Sequence, residues 1–564
     1  MQRRRSERNA SLGWVALAAG ALALSAWYSS NDRPSRPDVA HPTIRTVSLA
    51  QAPAPSFDGA VGWINSGPID LASLKGKVVL LDFWTYCCIN CHHILPDLEK
   101  LEQKYKNELV VIGIHSGKFD AERNTENIRR KVAEYRIKHP VANDADMVIW
   151  ERFGVNSWPT RVLIDPDGKV VAFGRDEDGN LITAIGGEGR YELFDFAIGK
   201  IADTFRKAGK LNEKPMAFPT EESQYADKPL LFPGKIVADA KSNRLFISDT
   251  GHNRIVQTDL DGKNPVLIGD GGAGLVDGDF ATARFNRQQG MCLEGDVLYV
   301  ADTENHAIRA VDLKARTVTT VVGDGKQSDR DPREPFVGPG KTSSISSPWD
   351  VIQVPGARTI YIAMAGTHQI YAFEPESGDV RWFAGSGFEN IQDGTLADSR
   401  FAQPSGLATD GRNLFIADSE VSGVRVISGL RTEKPRVGRV VGKGLFDFGD
   451  RDGAGADVVR LQHCLGLAFA DGKLYIADTY NSKIKACDPK TAEVRTFLGG
   501  EDAEGAAKLF EPGGLSASGG KLYIADTNHH QVKVVDLATK AVRVLEIPDL
   551  KPPAAPEPAP APAP

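Results

Sequence analysis

Two patterns of apolar positions divide the chain near residue 209. Before that point, continuous apolar runs alternate with stretches in which apolar residues recur every three or four positions. KVVLLDF at 77–83 is an unbroken run of the kind a strand buried on both faces requires. The stretch 88–105 places Leu95, Leu98 and Leu101 at helical spacing, and 109–115 returns to a strand. A helix over 125–137 follows, then strands at 160–165 and 170–173 across the turn Pro166-Asp167-Gly168, and a closing helix at 191–208. Alternating strand and helix, ended by a hairpin and a helix, predict an α/β layered domain over 57–208.

After residue 228 the helical period disappears and one phrase recurs six times. The copies are LFISDTGHNRIVQTD (245–259), LYVADTENHAIRAVD (298–312), IYIAMAGTHQIYAFE (360–374), LFIADSEVSGVRVIS (414–428), LYIADTYNSKIKACD (474–488) and LYIADTNHHQVKVVD (522–536). Each is preceded and followed by a further short strand signal, so each unit holds four strands. Six such units predict an all-β six-bladed propeller over 229–547, an arrangement that leaves only short strand edges exposed. Asp249, Asp302, Asp418, Asp478 and Asp526 take equivalent places after a strand, where a carboxylate accepts turn N–H groups. Met364 stands there in the third copy, which argues against a shared sixfold chemistry. Asp277-Gly278 with Ala283-Arg284-Phe285, and Asp393-Gly394 with Ser399-Arg400-Phe401, show that the longer turns between units repeat as well.

The flanks read differently. Arg3-Arg4-Arg5 precedes an apolar stretch over 12–28, the short end of what spans a bilayer. We read 1–30 as an uncleaved transmembrane anchor with its arginines inside, cleavage after Ser25 or Ala26 being the alternative; either way the body lies outside the cytoplasm, on the periplasmic side in a Gram-negative cell. Residues 31–56 read as a Pro- and Ala-rich linker, 209–228 as a second linker, and 548–564 as a disordered Pro/Ala-rich tail. A net charge of −7 over 564 residues gives no basic footprint for nucleic acid.

Of six cysteines, Cys87, Cys88 and Cys91 crowd together while Cys292, Cys464 and Cys487 stand alone, so one reactive site and three buried thiols are expected. Cys88-Ile89-Asn90-Cys91 begins a helix directly after the strand at 77–83. The positive end of that helix favours a thiolate at Cys88, while Cys91 lies one turn inside. Cys88 is therefore the expected nucleophile on a partner's disulfide and Cys91 the resolving thiol.

These residues resemble the thioredoxin family, in particular its membrane-tethered periplasmic members with a Leu74-Lys75-Gly76-Lys77 lead-in. The resemblance implies that Asp82 is the buried acid that deprotonates the resolving thiol. It also implies that Trp158-Pro159-Thr160 is a cis-proline loop, with Pro159 facing the dithiol. Cys87 stands where the family usually has tryptophan, and Ile89-Asn90 where it has Gly-Pro. With the repeats behind it, CCINC is similar to the family of NHL repeat-containing protein 2 and its bacterial relatives, over about 57–547. That likeness implies a thioredoxin-like domain beside an NHL-type propeller.

Cys88-Ile89-Asn90-Cys91-His92 also spells a haem-attachment motif, but a buried strand before it and a Trp-Pro-Thr loop after it fit a dithiol better. Cys87 and Cys91 with a distal His115 form a copper(I) alternative, soft thiolates favouring that ion. A structural disulfide without turnover, and a non-catalytic propeller scaffold with a vestigial thioredoxin-like domain, are further alternatives. His92 and His93 are candidate cations tuning the thiolate, and the histidines of the repeated phrase a candidate metal ring. The reading adopted is a membrane-anchored, extracytoplasmic thiol-disulfide oxidoreductase with catalytic Cys88, Cys91, Asp82 and Pro159. It expects no cofactor or resident metal, protein thiols and disulfides as substrates, a separate recharging partner, and a propeller that docks partners.

Overall fold

The computed structural model describes residues 48–553. The expected anchor at 1–30 lies outside the described residues, and no described helix is long and apolar enough to cross a membrane.

The N-terminal domain is one mixed sheet with helices on both faces. Its elements run β1 (Ser48–Pro53), β2 (Gly62–Ile64), β3 (Val78–Trp84), α1 (Ile89–Lys104), β4 (Leu109–His115), α2 (Thr125–Glu134) and β5 (Val141–Asn143). Then come α3 (Val148–Arg152), β6 (Thr160–Ile164), β7 (Lys169–Ala172), β8 (Ala184–Gly186) and α4 (Tyr191–Lys207). The sheet order is β1-β7-β6-β3-β4-β5-β2, with β8 also on β6. All seven residues of β3 are buried, as its unbroken apolar run requires. Its alternate residues Val78 and Leu80 pack under Ile94, Leu98 and Leu101 of α1 and Phe194 and Ile198 of α4. Val79, Leu81 and Phe83 meet Ile149 and Trp150 of α3 on the other face.

Three boundaries differ from the sequence reading. Ser48–Pro53, expected within the linker, is an edge strand antiparallel to β7. An edge needs N–H donors on one side only, so its proline is tolerated. The segment 209–228 has little regular structure, yet it is tied at both ends. Asn212 N–H donates to Gly76 O at 2.8 Å, Glu221 pairs with Arg129 of α2, and Tyr225 packs on Phe232 and His530 of the propeller. The start of the expected tail is also packed: Leu550 is buried, and Arg254 donates to Lys551 O at 2.9 Å.

The propeller has six antiparallel sheets of consecutive strands, with blade 1 over 236–268, blade 2 over 291–322, blade 3 over 348–384, blade 4 over 404–441, blade 5 over 466–499 and blade 6 over 514–544. The repeated phrase forms the second and third strands of each blade, joined by a 3-10 turn. In blades 2–5 a short strand from the preceding loop adds a fifth, outer member. The ring closes without strand exchange. Ala238 and Ala240 of blade 1 donate to the hydroxyls of Ser516 and Ser518 of blade 6, each at 2.9 Å. Thr527 of blade 6 donates to Pro233 O, just before blade 1, at 2.9 Å.

The phrase aspartates serve as expected. Asp249, Asp302, Asp418, Asp478 and Asp526 each accept a backbone N–H from the loop entering their own blade, from Leu231, Asn286, Ala402, Gln462 and Phe510 at 2.7–2.8 Å. Each also faces a buried cation: Arg254, Arg309, Arg425, Lys485 and Lys533 respectively. Blade 3 has Met364 for the aspartate, Gln369 where blade 1 has its cation, and Tyr371 where the other four blades have theirs; the Gln369 amide donates to Gly385 O at 3.0 Å.

Removing one member of a buried pair strands the other charge, whereas removing both does not. Asp526→Ala, which leaves the buried Lys533 without its carboxylate, is expected to destabilise the protein by about 3 kcal/mol or more. The double variant Asp526→Met/Lys533→Met should recover part of that loss, as the uncharged blade 3 suggests. Urea denaturation midpoints of the two variants check the order.

Candidate active site at the domain interface

Strand β3 carries Asp82 and Trp84 into the turn Thr85-Tyr86-Cys87, and Cys88 is the N-cap of α1. All six cysteines are free thiols. Cys88 is half-buried and Cys91 is buried at 1 % exposure, with its N–H donating to Cys88 O at 3.0 Å. Burial first, then the adjacent Cys88 and the Asp82 carboxyl, push the Cys91 thiol well above its ordinary value. One sulfur is thus reachable, and the other is kept protonated beneath it.

Asp82 is 1 % exposed, and neither carboxylate oxygen has a hydrogen-bond partner. Burial lifts its carboxyl to about 6, opposed by the charges of His139 and Arg161. Arg161 lies directly across from Asp82 on β6. Its guanidinium is spent on Gly189 O and Gly187 O at 2.7 and 2.8 Å, so it acts on Asp82 through charge alone. The same loop returns to the proline: Gly187 N–H donates to Pro159 O at 2.9 Å, and the Trp158-Pro159 peptide is cis. Cys88 thus caps α1, Cys91 lies in its first turn under the charge of Asp82, and Pro159 is the cis proline immediately before β6.

His92 and His93 are committed to contacts of their own. His92 is buried, stacks on Tyr135 at 4.0 Å between ring centroids, and bonds Tyr86 O at 3.1 Å. Desolvation holds its pKa well below the usual imidazole range, so it is no cation beside the thiolate. His93 is an interdomain strut, its Nδ1 2.5 Å from Glu188 and its Nε2 2.7 Å from the hydroxyl of Ser347 in the propeller. The phrase histidines do not converge on a metal. Nδ1 of His306, His368 and His530 each accepts a backbone N–H from the next blade, from Ser347, Gln403 and Phe232, all at 3.1 Å.

Cys87 is equally committed. Its N–H donates to Glu122 at 2.8 Å, and its thiol is pushed well above the ordinary value by burial and by the carboxylates of Glu122 and Glu420. His115 accepts Tyr86 N–H at 3.2 Å through Nε2, and burial drives it down to about 3. Among the described residues no three His, Cys, Asp or Glu side chains are grouped to hold a metal ion. Cys292, Cys464 and Cys487 are buried, as anticipated.

Sequence reasoning missed Glu122, Lys118, Glu420 and Gln403. Glu122 is fully buried and gathers the N–H groups of Cys87, Lys118 and Phe119 at 2.8–2.9 Å. Burial raises it to about 7. In Asp120-Ala121-Glu122-Arg123 it looks like part of a solvated charge run, and no local signal distinguishes it. Lys118 forms a buried pair with Glu420 across the domain boundary, and Ala121 N–H donates to Gln462 at 3.1 Å. Tyr86 reaches Glu511 at 3.3 Å, and Arg287 of the propeller pairs with Glu134 at 3.0 Å. The dithiol face of the N-terminal domain is thus seated on the mouth of the propeller.

Comparison with known proteins follows this architecture. A thioredoxin-like family model matches residues 76–170, and an NHL repeat model matches 511–535. Over 485 residues the chain is 42% identical to Protein SUPPRESSOR OF QUENCHING 1, chloroplastic, of Arabidopsis thaliana, covering 82% of this chain and 44% of that protein. Over 501 residues it is 40% identical to NHL repeat-containing protein 2 of Gallus gallus, covering 82% of this chain and 66% of that protein. The chain is a homologue of both. It spans less than two thirds of either relative's length. Over 118 residues, 21% of this chain and 65% of the relative, it is also 37% identical to Thiol-disulfide oxidoreductase ResA of Bacillus anthracis.

Because the folded-state value of Asp82 is raised, this group contributes stability below about pH 4 that is lost as pH rises through about 6. Asp82→Asn should remove that loss. Its stability relative to the parent is expected to increase between pH 4 and pH 7 by on the order of 3 kcal/mol. Denaturant titrations of both proteins at the two pH values measure the difference.

Proposed function

We propose that this protein is a thiol-disulfide oxidoreductase acting through Cys88 and Cys91. The observation that carries the reading is the asymmetry of the pair: a half-exposed sulfur at a helix N-cap over a buried, protonated sulfur, with an unpartnered buried carboxyl near by. The likeness to the thiol-disulfide oxidoreductase ResA supports the same chemistry for the N-terminal domain.

The Cys88 thiolate attacks one sulfur of a substrate disulfide, and the other sulfur leaves as a thiolate that takes up a proton. Cys91 then attacks Cys88 in the mixed disulfide and expels the second substrate thiol, leaving a Cys88–Cys91 disulfide. Asp82 accepts the Cys91 proton, a task for which its carboxyl must be ionised, so resolution should quicken as pH rises through about 6. The cycle runs in reverse when the disulfide form meets a dithiol substrate. A separate dithiol or disulfide partner returns the pair to its starting state.

The N-terminal stretch 12–28 as membrane anchor, an extracytoplasmic location, and docking of partner proteins on the propeller belong to this proposal and rest on the sequence. One mouth of the propeller is occupied by the protein's own N-terminal domain, so partner docking falls to the opposite mouth and the outer surfaces.

Insulin-disulfide reduction should fall to background in both Cys88→Ser and Cys91→Ser. Only Cys91→Ser should accumulate mixed disulfides, all through Cys88. A protein with no turnover and no trapped partner is instead a binding scaffold, and the proposal fails.

A further inference from the structure

Six residues ring the propeller mouth, one ahead of each blade: Phe232, Arg287, Ser347, Gln403, His463 and Glu511. All have left-handed backbone, with φ between 44° and 62°. Gln403 is the one that reaches the dithiol. Its amide oxygen accepts the N–H of Ile89 at 2.9 Å, and its amide nitrogen donates to Cys87 O at 2.8 Å. The two bonds grip the peptide units immediately before and after Cys88.

Gln403 is itself held without slack. It is 3 % exposed, its N–H donates to His368 at 3.1 Å, and its carbonyl accepts the hydroxyls of Ser405 and Ser419, both at 2.8 Å. Ile89 packs on Trp349 and Ala365 of blade 3. Ile89 N–H belongs to the first turn of α1, whose donors have no partner within the helix and otherwise serve an anion at its end.

We propose that Gln403 is a positioning residue for the dithiol: it fixes the backbone on both sides of Cys88, withholds the Ile89 N–H from the sulfur, and makes the reactivity of the pair depend on a docked propeller. This inference rests on the thiol-disulfide reading and assigns part of its control to the other domain. The charged groups around the turn, namely Asp82, Glu122, His93 with Glu188, Lys118 with Glu420, and Lys131 with Glu511, make no bond to the Gln403 side chain and keep their partners when it alone is replaced.

The test uses the full chain and two readouts: the pH dependence of Cys88 alkylation by iodoacetamide, and the equilibrium of the pair with glutathione. In Gln403→Ala the freed N–H turns to the sulfur. The alkylation midpoint should fall by about one pH unit, and the equilibrium should move toward the dithiol by about threefold at neutral pH. Gln403→Glu keeps an acceptor for Ile89 but adds a carboxylate, so its midpoint should rise. Gln462→Ala, which removes the bonds to Ala121 and Asn481 but none to the peptides flanking Cys88, should change neither readout.

Opposite shifts in the two Gln403 variants, with thermal melts showing both folded, support the clamp. Unchanged readouts in a folded Gln403→Ala, or an equal shift in Gln462→Ala, overturn it. Shifts present in a protein that never reduces insulin support the clamp while refuting the oxidoreductase reading.

Discussion

The structure depends on a pair of adjacent backbone N–H groups at the entrance to each blade. In five of the six blades the first N–H goes to that blade's own phrase aspartate. The second goes, in all six, to the side chain ending the preceding blade's 3-10 turn: His530, Asn253, His306, His368, Ser422 or Ser482. Both the acceptor residue and the donor residue are left-handed in every case. Left-handed backbone costs a non-glycine residue about 1–2 kcal/mol, and a typical hydrogen bond returns about 1 kcal/mol. No single junction has much to spare. Closure of the ring makes each one over-determined by its neighbours, and six side chains are thereby set at fixed places around one mouth.

That ring explains how two unlike domains share a site. The start of α1 leaves N–H groups that the helix cannot satisfy, and the loop around Cys87 leaves a carbonyl facing outward. Gln403 satisfies one of each. Around it, Arg287 meets Glu134, Ser347 meets His93, and Glu511 meets Lys131 and Tyr86, so both neutral and charged contacts surround the dithiol. The buried Lys118–Glu420 pair illustrates the cost of this arrangement. Burying the pair forfeits the hydration of both charges, which their attraction roughly offsets, and either one buried alone would be strongly unfavourable, so the pair fixes how the domains register more than how tightly they dock.

Much of this was legible from residue order. The buried strand before Cys88, the helix after it and the six phrases follow from apolar period and turn chemistry, because both act over a few residues. The left-handed ring was only half legible. Phe285 and Phe401 were seen to repeat, and the decisive residues stand two positions further on, at Arg287 and Gln403, where side-chain identity changes from blade to blade. A position defined by backbone conformation leaves no compositional mark when six different residues fill it. Glu122 was illegible for another reason: its role is set by Cys87, 35 positions away, and its surroundings in sequence are those of a solvated charged turn. His92 misled because a histidine beside a cysteine suggests a cation, whereas burial against Tyr135 keeps the ring neutral.

Docking also fixes the direction from which the dithiol can be approached. Cys91 and Asp82 are enclosed by their own domain, and Cys87 is covered by Glu122 and by Glu420 of the propeller. Cys88 is only half-buried and, like Trp158, Leu95 and Phe448, packs against the buried cluster that holds Cys87 and Cys91. Phe446, two residues from Phe448, is 71 % exposed, with the Lys118 amine 5.4 Å from its ring centre. A half-buried sulfur selects first by shape. Under the thiol-disulfide reading, a disulfide must project from its surface far enough to reach it before the chemistry of Cys88 can act. The propeller then contributes by holding the backbone of the attacking residue through Gln403. That function needs no residue of the propeller to touch the reacting atoms.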